Sequence, residues 1–204
     1  MATDVRTVAV LFALEREASP FRRLVCNSTN IQIHVSGIGR DRARRCVELV
    51  LATSPPLLII AAGFCGALNP TLQVGDIVMP PRLLTVDHLV CDPAEKRRLA
   101  READAVDMES AAIAEVCASK GIEFLAVRAV SDTSDTALSP ELEHLLSGGT
   151  VSIWKACRAL LGKPTLLPEF LRLGRDTKLA AQKLSEALVK VIGSASPGTA
   201  VPGL

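Results

Sequence analysis

Three carboxylates occupy positions where ligand chemistry is expected. Glu17 lies just beyond an apolar run, Glu109 falls within the stretch Ala105-Val106-Asp107-Met108-Glu109-Ser110, and Asp132 ends Arg128-Ala129-Val130-Ser131-Asp132. In an open α/β sheet the carboxyl ends of the strands face the binding crevice, so an acid just after a buried strand points at a ligand. A helix N-terminus carries partial positive charge and free N–H groups, which suits an ionised Glu109. Three acids at equivalent ends, with no metal cluster beside them, point to proton transfer and hydroxyl recognition.

The elements that must position these acids follow from hydropathy. Thr7 to Ala13 is a nearly unbroken apolar run, as expected of a strand buried on both faces of a parallel sheet. Leu14-Glu15-Arg16-Glu17-Ala18 opens a helix in which Pro20 is tolerable only within the first turn. Ile31 to Ser36 alternates as a strand, and about Arg40 to Ala52 carries Ala43, Cys46, Val47, Val50 and Leu51 at helical spacing. Leu57 to Ala62 is another buried strand, running into a tight glycine turn at Gly63-Phe64-Cys65-Gly66. A short strand spans Asp76 to Met79, a further one lies within Leu83 to Cys91, and a charged helix covers Pro93 to Ala100.

Asp107 caps a helix that turns Met108, Ala111, Ala112, Val116 and Cys117 inward and stops at Gly121. Phe124 to Val130 is the fourth strong strand, and helices follow over about Pro140 to Leu161 and Pro168 to Ile192. The expected architecture is α/β: a three-layer αβα sandwich with a mostly parallel, mixed central sheet. A single domain spans 1–192, with a flexible tail at 193–204.

Composition narrows the function classes. A net charge of +1 and 3% aromatics offer neither a field nor stacking platforms for nucleic acid. No apolar run reaches the roughly 18 residues of a membrane span, and the start lacks the regions of a signal peptide, so a cytoplasmic protein is expected. Cys26, Cys46, Cys65, Cys91, Cys117 and Cys157 are scattered and read as buried free thiols, with no metal site. His34, His88 and His144 are far apart and form no ligand pattern. Ser36-Gly37-Ile38-Gly39 before Arg40 could cradle an anion, but it lacks the full GxGxxG spacing and the P-loop lysine, which weighs against a dinucleotide or nucleoside triphosphate.

Five ordered motifs then resemble the nucleoside phosphorylase/nucleosidase superfamily. They are Ala13-Leu14-Glu15-Arg16-Glu17; Ser36-Gly37-Ile38-Gly39; Ala62 to Leu68 with Val74-Gly75-Asp76-Ile77-Val78; Val106-Asp107-Met108-Glu109-Ser110; and Val127 to Asp132. The look is nearest to methylthioadenosine/adenosylhomocysteine nucleosidases. The stretch Leu161 to Asp176 resembles a narrower group, the hopanoid-associated phosphorylases, implicated in removing adenine from adenosylhopane.

The resemblance implies cleavage of a purine N-ribosyl bond in a small nucleoside, lipid-tailed if the narrower likeness holds, by a homodimer or higher homo-oligomer without a cofactor. Asp132 would serve the purine at N7 with Ser131 beside it, Glu109 the ribose hydroxyls, and Glu17 the attacking water. Met108 would pack against the sugar, and Asp107, Gly63, Phe64, Leu89 and Val90 would complete the substrate wall. Phosphate is the alternative acceptor, with Gly37, Gly39 and Arg40 as its site. Against it, Ala61 and Phe64 stand where purine phosphorylases carry an arginine and a serine. Fewer residues lie between Pro80 and Asp107 than the family places there, and Leu89 replaces an aromatic stacking residue, so a non-catalytic purine-binding protein is a further alternative. Leu166 to Leu173, with Phe170 beside Arg172 and Arg175, could rest on a membrane surface.

Overall fold

The computed structural model describes residues 7–137 and 167–195. β1 (Val8–Phe12) is buried at every position, which requires cover on both faces. The two-residue period of the strand sorts its side chains between two cores. Val8, Val10 and Phe12 meet Ala18 and Phe21 of α1 (Glu15–Leu24), together with Ala180, Leu184, Leu188 and Ile192 of α5 (Leu167–Ala195). Ala9 and Leu11 meet Ala43, Val47 and Val50 of α2 (Arg40–Thr53) and Ile113, Val116 and Cys117 of α4 (Ser110–Lys120). The result is the expected three-layer αβα arrangement.

Among the described residues the sheet has seven strands and is mostly parallel. β2 (Ile31–Val35) and β3 (Leu58–Ala67) flank β1, both parallel to it. β7 (Glu123–Asp132) runs parallel to β3 from Leu58 opposite Glu123 to Gly66 opposite Asp132, with a register shift between Cys65 and Gly66. β4 (Ile77–Val78) pairs antiparallel with β7, and β5 (Leu83–Thr85) is parallel to β6 (Ala105–Asp107). β6 meets β3 antiparallel at Gly66 and Ala67. One edge of β3 is therefore covered by β1 only through Ala61 and by β6 only from Gly66. Between them no strand of the described residues covers the edge, and a crevice opens there at the carboxyl end of β1.

Several elements differ from the sequence reading. Gly63 to Gly66 is not a turn but the second half of β3, because β7 supplies backbone partners along its whole length. Pro20 lies well inside α1 rather than in its first turn; the burial of Ala18 and Phe21 against the sheet holds the helix despite the missing N–H. The strand expected within Leu83 to Cys91 is present as the three-residue β5. Asp107 ends β6, and Glu109 takes the N-cap position of α4, although the Asp107 carboxylate still accepts the Ser110 N–H at 3.1 Å. Gly121 closes α4 in the left-handed conformation (φ 67°). Cys65 and Cys117 are buried free thiols and Cys91 is buried as well, whereas Cys26 is exposed just beyond α1 and Cys46 is half-buried. The helix expected over Pro140 to Leu161, with His144 and Cys157, lies outside the described residues.

Candidate active site

The bare edge of β3 organises the first acid. Phe64 lies on that uncovered stretch, and its N–H donates to Glu17 Oε1 at 3.0 Å. Glu17 Oε2 accepts the N–H groups of Ala13 (3.0 Å) and Leu14 (2.8 Å), where the chain leaves β1 for α1. The carboxyl group is thus held by three backbone N–H groups while the residue is only 3% exposed. Burial raises its pKa from the ordinary 4.5 to about 7, against the opposing pull of Arg128 and of the Leu14 and Phe64 N–H groups. A group balanced near neutrality can take a proton from water.

Behind it lies a charge that the sequence reading passed over. Arg128, in the interior of β7, is 1% exposed. Its Nη2 stands 2.6 Å from Asp107 and 3.6 Å from Glu109, and its guanidinium donates to Ser110 Oγ at 3.0 and 3.2 Å. Asp107 is committed to the protein: Thr85 donates its hydroxyl at 2.5 Å, and Ser110 N–H and Arg128 fill the other oxygen. Its carboxylate therefore holds Arg128, although Asp107 also borders the cavity. Glu109 accepts the Gly39 N–H at 2.9 Å, and burial raises its pKa, opposed by Arg128. An arginine inside an apolar strand is itself a signal, since a buried cation requires partners.

At the far end of β7, Ser131 donates its hydroxyl to Asp132 Oδ1 at 2.8 Å. Lys96 of α3 (Pro93–Leu99) forms an ion pair with Asp132 Oδ2. The three acids face one cavity of roughly 380 Å³, within the range of small-ligand sites. Its wall also includes Leu14, Ile38, Phe64, Met108, Ser131 and Leu89, with Val90, Leu173 and Thr177.

Of the expected site residues, Glu17, Glu109, Asp132, Met108, Asp107, Ser131, Phe64, Leu89 and Val90 border this cavity, and Gly63 does not. Gly63 serves a different purpose, because a Cβ there would lie 2.5 Å from Arg128 Nη1 and 3.2 Å from Glu17 Oε1. Gly63→Ala is expected to lower the melting temperature and to reduce turnover by about 100-fold through displacement of Glu17. Wild-type turnover in a folded Gly63→Ala protein would refute this. The expected phosphate site also changes. Ile38 borders the cavity but Gly37, Gly39 and Arg40 do not; the Gly39 N–H is taken by Glu109, and Arg40 pairs with Glu115 at 3.4 Å.

His88 borders the cavity and is held between Asp87 (2.9 Å) and Glu95 (3.1 Å), both of which raise its pKa. On α5, Leu173 faces the cavity while Leu167 and Leu171 are exposed. No helix among the described residues is long and apolar enough to cross a membrane.

The family model described as the Phosphorylase superfamily matches residues 15–90 and 82–159. A 5′-methylthioadenosine/S-adenosylhomocysteine nucleosidase of Anoxybacillus flavithermus is 24% identical over an alignment covering 68% of this chain and 90% of that protein. Among solved structures, the corresponding nucleosidase of Neisseria meningitidis in complex with methylthio-immucillin-A superposes with a TM-score of 0.68 at 19% identity, covering 93% of this chain and 99% of that one. Futalosine hydrolase of Helicobacter pylori gives 0.67 at 15% identity, covering 93% and 98%. At these identities the structural likeness establishes the fold.

Proposed function

The chain belongs to the Phosphorylase superfamily, and from that premise we propose that it hydrolyses the N-ribosyl bond of a 5′-substituted adenosine, releasing adenine. The observation that carries this is Glu17: a buried carboxyl group, aligned by three backbone N–H groups and balanced near neutrality, beside Glu109 and facing the same cavity as Asp132. The C1′–N9 bond breaks with its electron pair leaving on the base, whose N7 takes up a proton from solvent, balanced by the proton that Glu17 later returns to solvent. Asp132 and Ser131 hold that N7–H, and Glu109 accepts from the ribose hydroxyls. Water adds to the oxocarbenium-like C1′, and its proton passes to Glu17. Each group stabilises charge that develops as the bond breaks.

Water is favoured over phosphate as the acceptor. By the sequence resemblance, Ala61 and Phe64 stand where purine phosphorylases carry an arginine and a serine; Arg40 is paired with Glu115, and the Gly39 N–H is occupied. A purely hydrolytic site needs no anion pocket. The 5′ group is apolar in this proposal, because Leu14, Ile38, Met108 and Leu173 contribute to the cavity wall. The likeness of Leu161 to Asp176 to the hopanoid-associated group makes adenosylhopane the candidate substrate and ribosylhopane its product, with exposed Leu167 and Leu171 available to a lipid-tailed substrate.

The test is incubation with 5′-methylthioadenosine and with adenosylhopane, each with and without phosphate, followed by identification of the sugar. The expected outcome is adenine plus the free ribosyl product at the same rate without phosphate. A 1-phosphorylated sugar formed only with phosphate would replace hydrolysis by phosphorolysis. Adenine binding without turnover of either substrate would make the chain a purine-binding protein.

A further inference from the structure

Lys96 is the buried lysine among the described residues, at 1% exposure. It lies in the middle of α3, a helix whose neighbouring Arg97 and Arg98 are exposed. An ammonium group has three donors and no acceptor. All three are spent on the exit of β7: on the Asp132 carboxylate, on the Thr133 carbonyl at 2.8 Å and on the Thr136 carbonyl at 3.3 Å. The turn they grip is closed independently, with Thr136 N–H donating to Thr133 O at 3.0 Å and the two threonine hydroxyls 3.0 Å apart.

Lys96 does not border the cavity, whereas Asp132 does. The ammonium therefore stands behind the carboxylate, on the side away from a bound base. Asp132 also lies close over Gly66, where a Cβ would approach Oδ2 to 3.2 Å, and its other oxygen is held by Ser131. Its carboxyl plane is thus restrained from three directions, of which Lys96 is the charged one.

Burying a lysine costs several kcal/mol of desolvation even when it is paired. An apolar residue at this position could cover the same space, as Leu99 does one turn later. Stability alone is a weak reason to keep the charge here, and the carboxylate it meets is the one assigned to the leaving base. We infer that Lys96 is a positioning residue for the leaving-base site, clamping Asp132 and the β7 exit turn so that the carboxylate faces N7 of the purine. This rests on the hydrolytic reading of the site. It also gives a task to the shortened segment between Pro80 and Asp107: α3 supplies, from behind, a restraint on the base-binding acid.

The test is a double-mutant cycle with 5′-methylthioadenosine as substrate. Lys96→Met is expected to lower kcat by about 10–100-fold with a smaller change in KM, and to cost less than about twofold more in an Asp132→Asn background, because coupled groups are not additive. Lys96→Gln, which keeps donors for the two carbonyls without the charge, is expected to lose activity in the same direction. Either Lys96 variant at wild-type kcat, or a Lys96→Met loss of equal size in both backgrounds, overturns the inference. Should the variants not fold, the wild-type protein still decides: titration with adenine is expected to shift the Lys96 Nζ resonance, and an unmoved resonance under saturating adenine overturns the clamp. Absence of adenine release by the wild type would instead overturn the hydrolytic reading, leaving the resonance shift as the measure of the clamp.

Discussion

Asp132→Asn is expected to reduce adenine release by about 10²–10⁴-fold, the usual contribution of a positioned acid–base group. The amide keeps the shape and can still accept the Ser131 hydroxyl, but it removes the negative charge proposed to stabilise a protonated purine N7. It also leaves the Lys96 ammonium buried against two carbonyls alone. Stability should therefore fall as well, since removing one partner of a buried pair costs about 3–5 kcal/mol. Turnover must be measured at a temperature where circular dichroism shows the variant folded. Full activity under those conditions would remove Asp132 from the reaction and with it the assignment of the leaving-base side.

The second large effect concerns Glu17, where activity and stability move in opposite directions with pH. In its proposed role as the base that takes the proton of water, Glu17 must be ionised. With its pKa at about 7, kcat/KM is expected to fall about tenfold per pH unit below neutrality. Glu17→Gln should lower kcat by about 10²–10⁴-fold.

Stability has the opposite slope. The folded pKa of about 7 exceeds the ordinary 4.5, so between those values the folded state holds a proton that the unfolded chain has released. This proton linkage is fully present below about pH 4.5 and is lost as pH rises through about 7. The difference is on the order of 3 kcal/mol. The wild type should therefore melt at a lower temperature at pH 8 than at pH 5, and Glu17→Gln should flatten that dependence. A wild-type midpoint that rises from pH 5 to pH 8 in parallel with the variant would show that Glu17 is not held in its neutral form by burial.

The parts of the fold that were legible in the sequence are those whose causes are local. Val8 to Phe12 reads as a strand because five consecutive apolar residues can be buried only on two faces, and α2 and α4 read as helices because their apolar positions recur at helical spacing. The second half of β3 was not legible. Gly63 and Gly66 carry the composition of a turn, and only pairing with β7, some 60 residues later, makes that stretch a strand. The same pairing explains why Gly63 is needed for clearance around Arg128 and Glu17 rather than for ligand contact.

The site divides along the same line. Glu17, Glu109 and Asp132 could be singled out because each lies at the end of a locally determined element, and those ends share one side of the sheet. The bare edge of β3 that aligns Glu17, and the guanidinium of Arg128 set between Asp107 and Glu109, depend on long-range pairing. In Lys96-Arg97-Arg98, three adjacent cations have equal claims to solvent. Only the docking of α3 onto the β7 exit turns one inward and leaves the next two outside. Local hydropathy thus determined which residues stand at the crevice, while the burial and pairing of their charges were decided where distant strands and helices met.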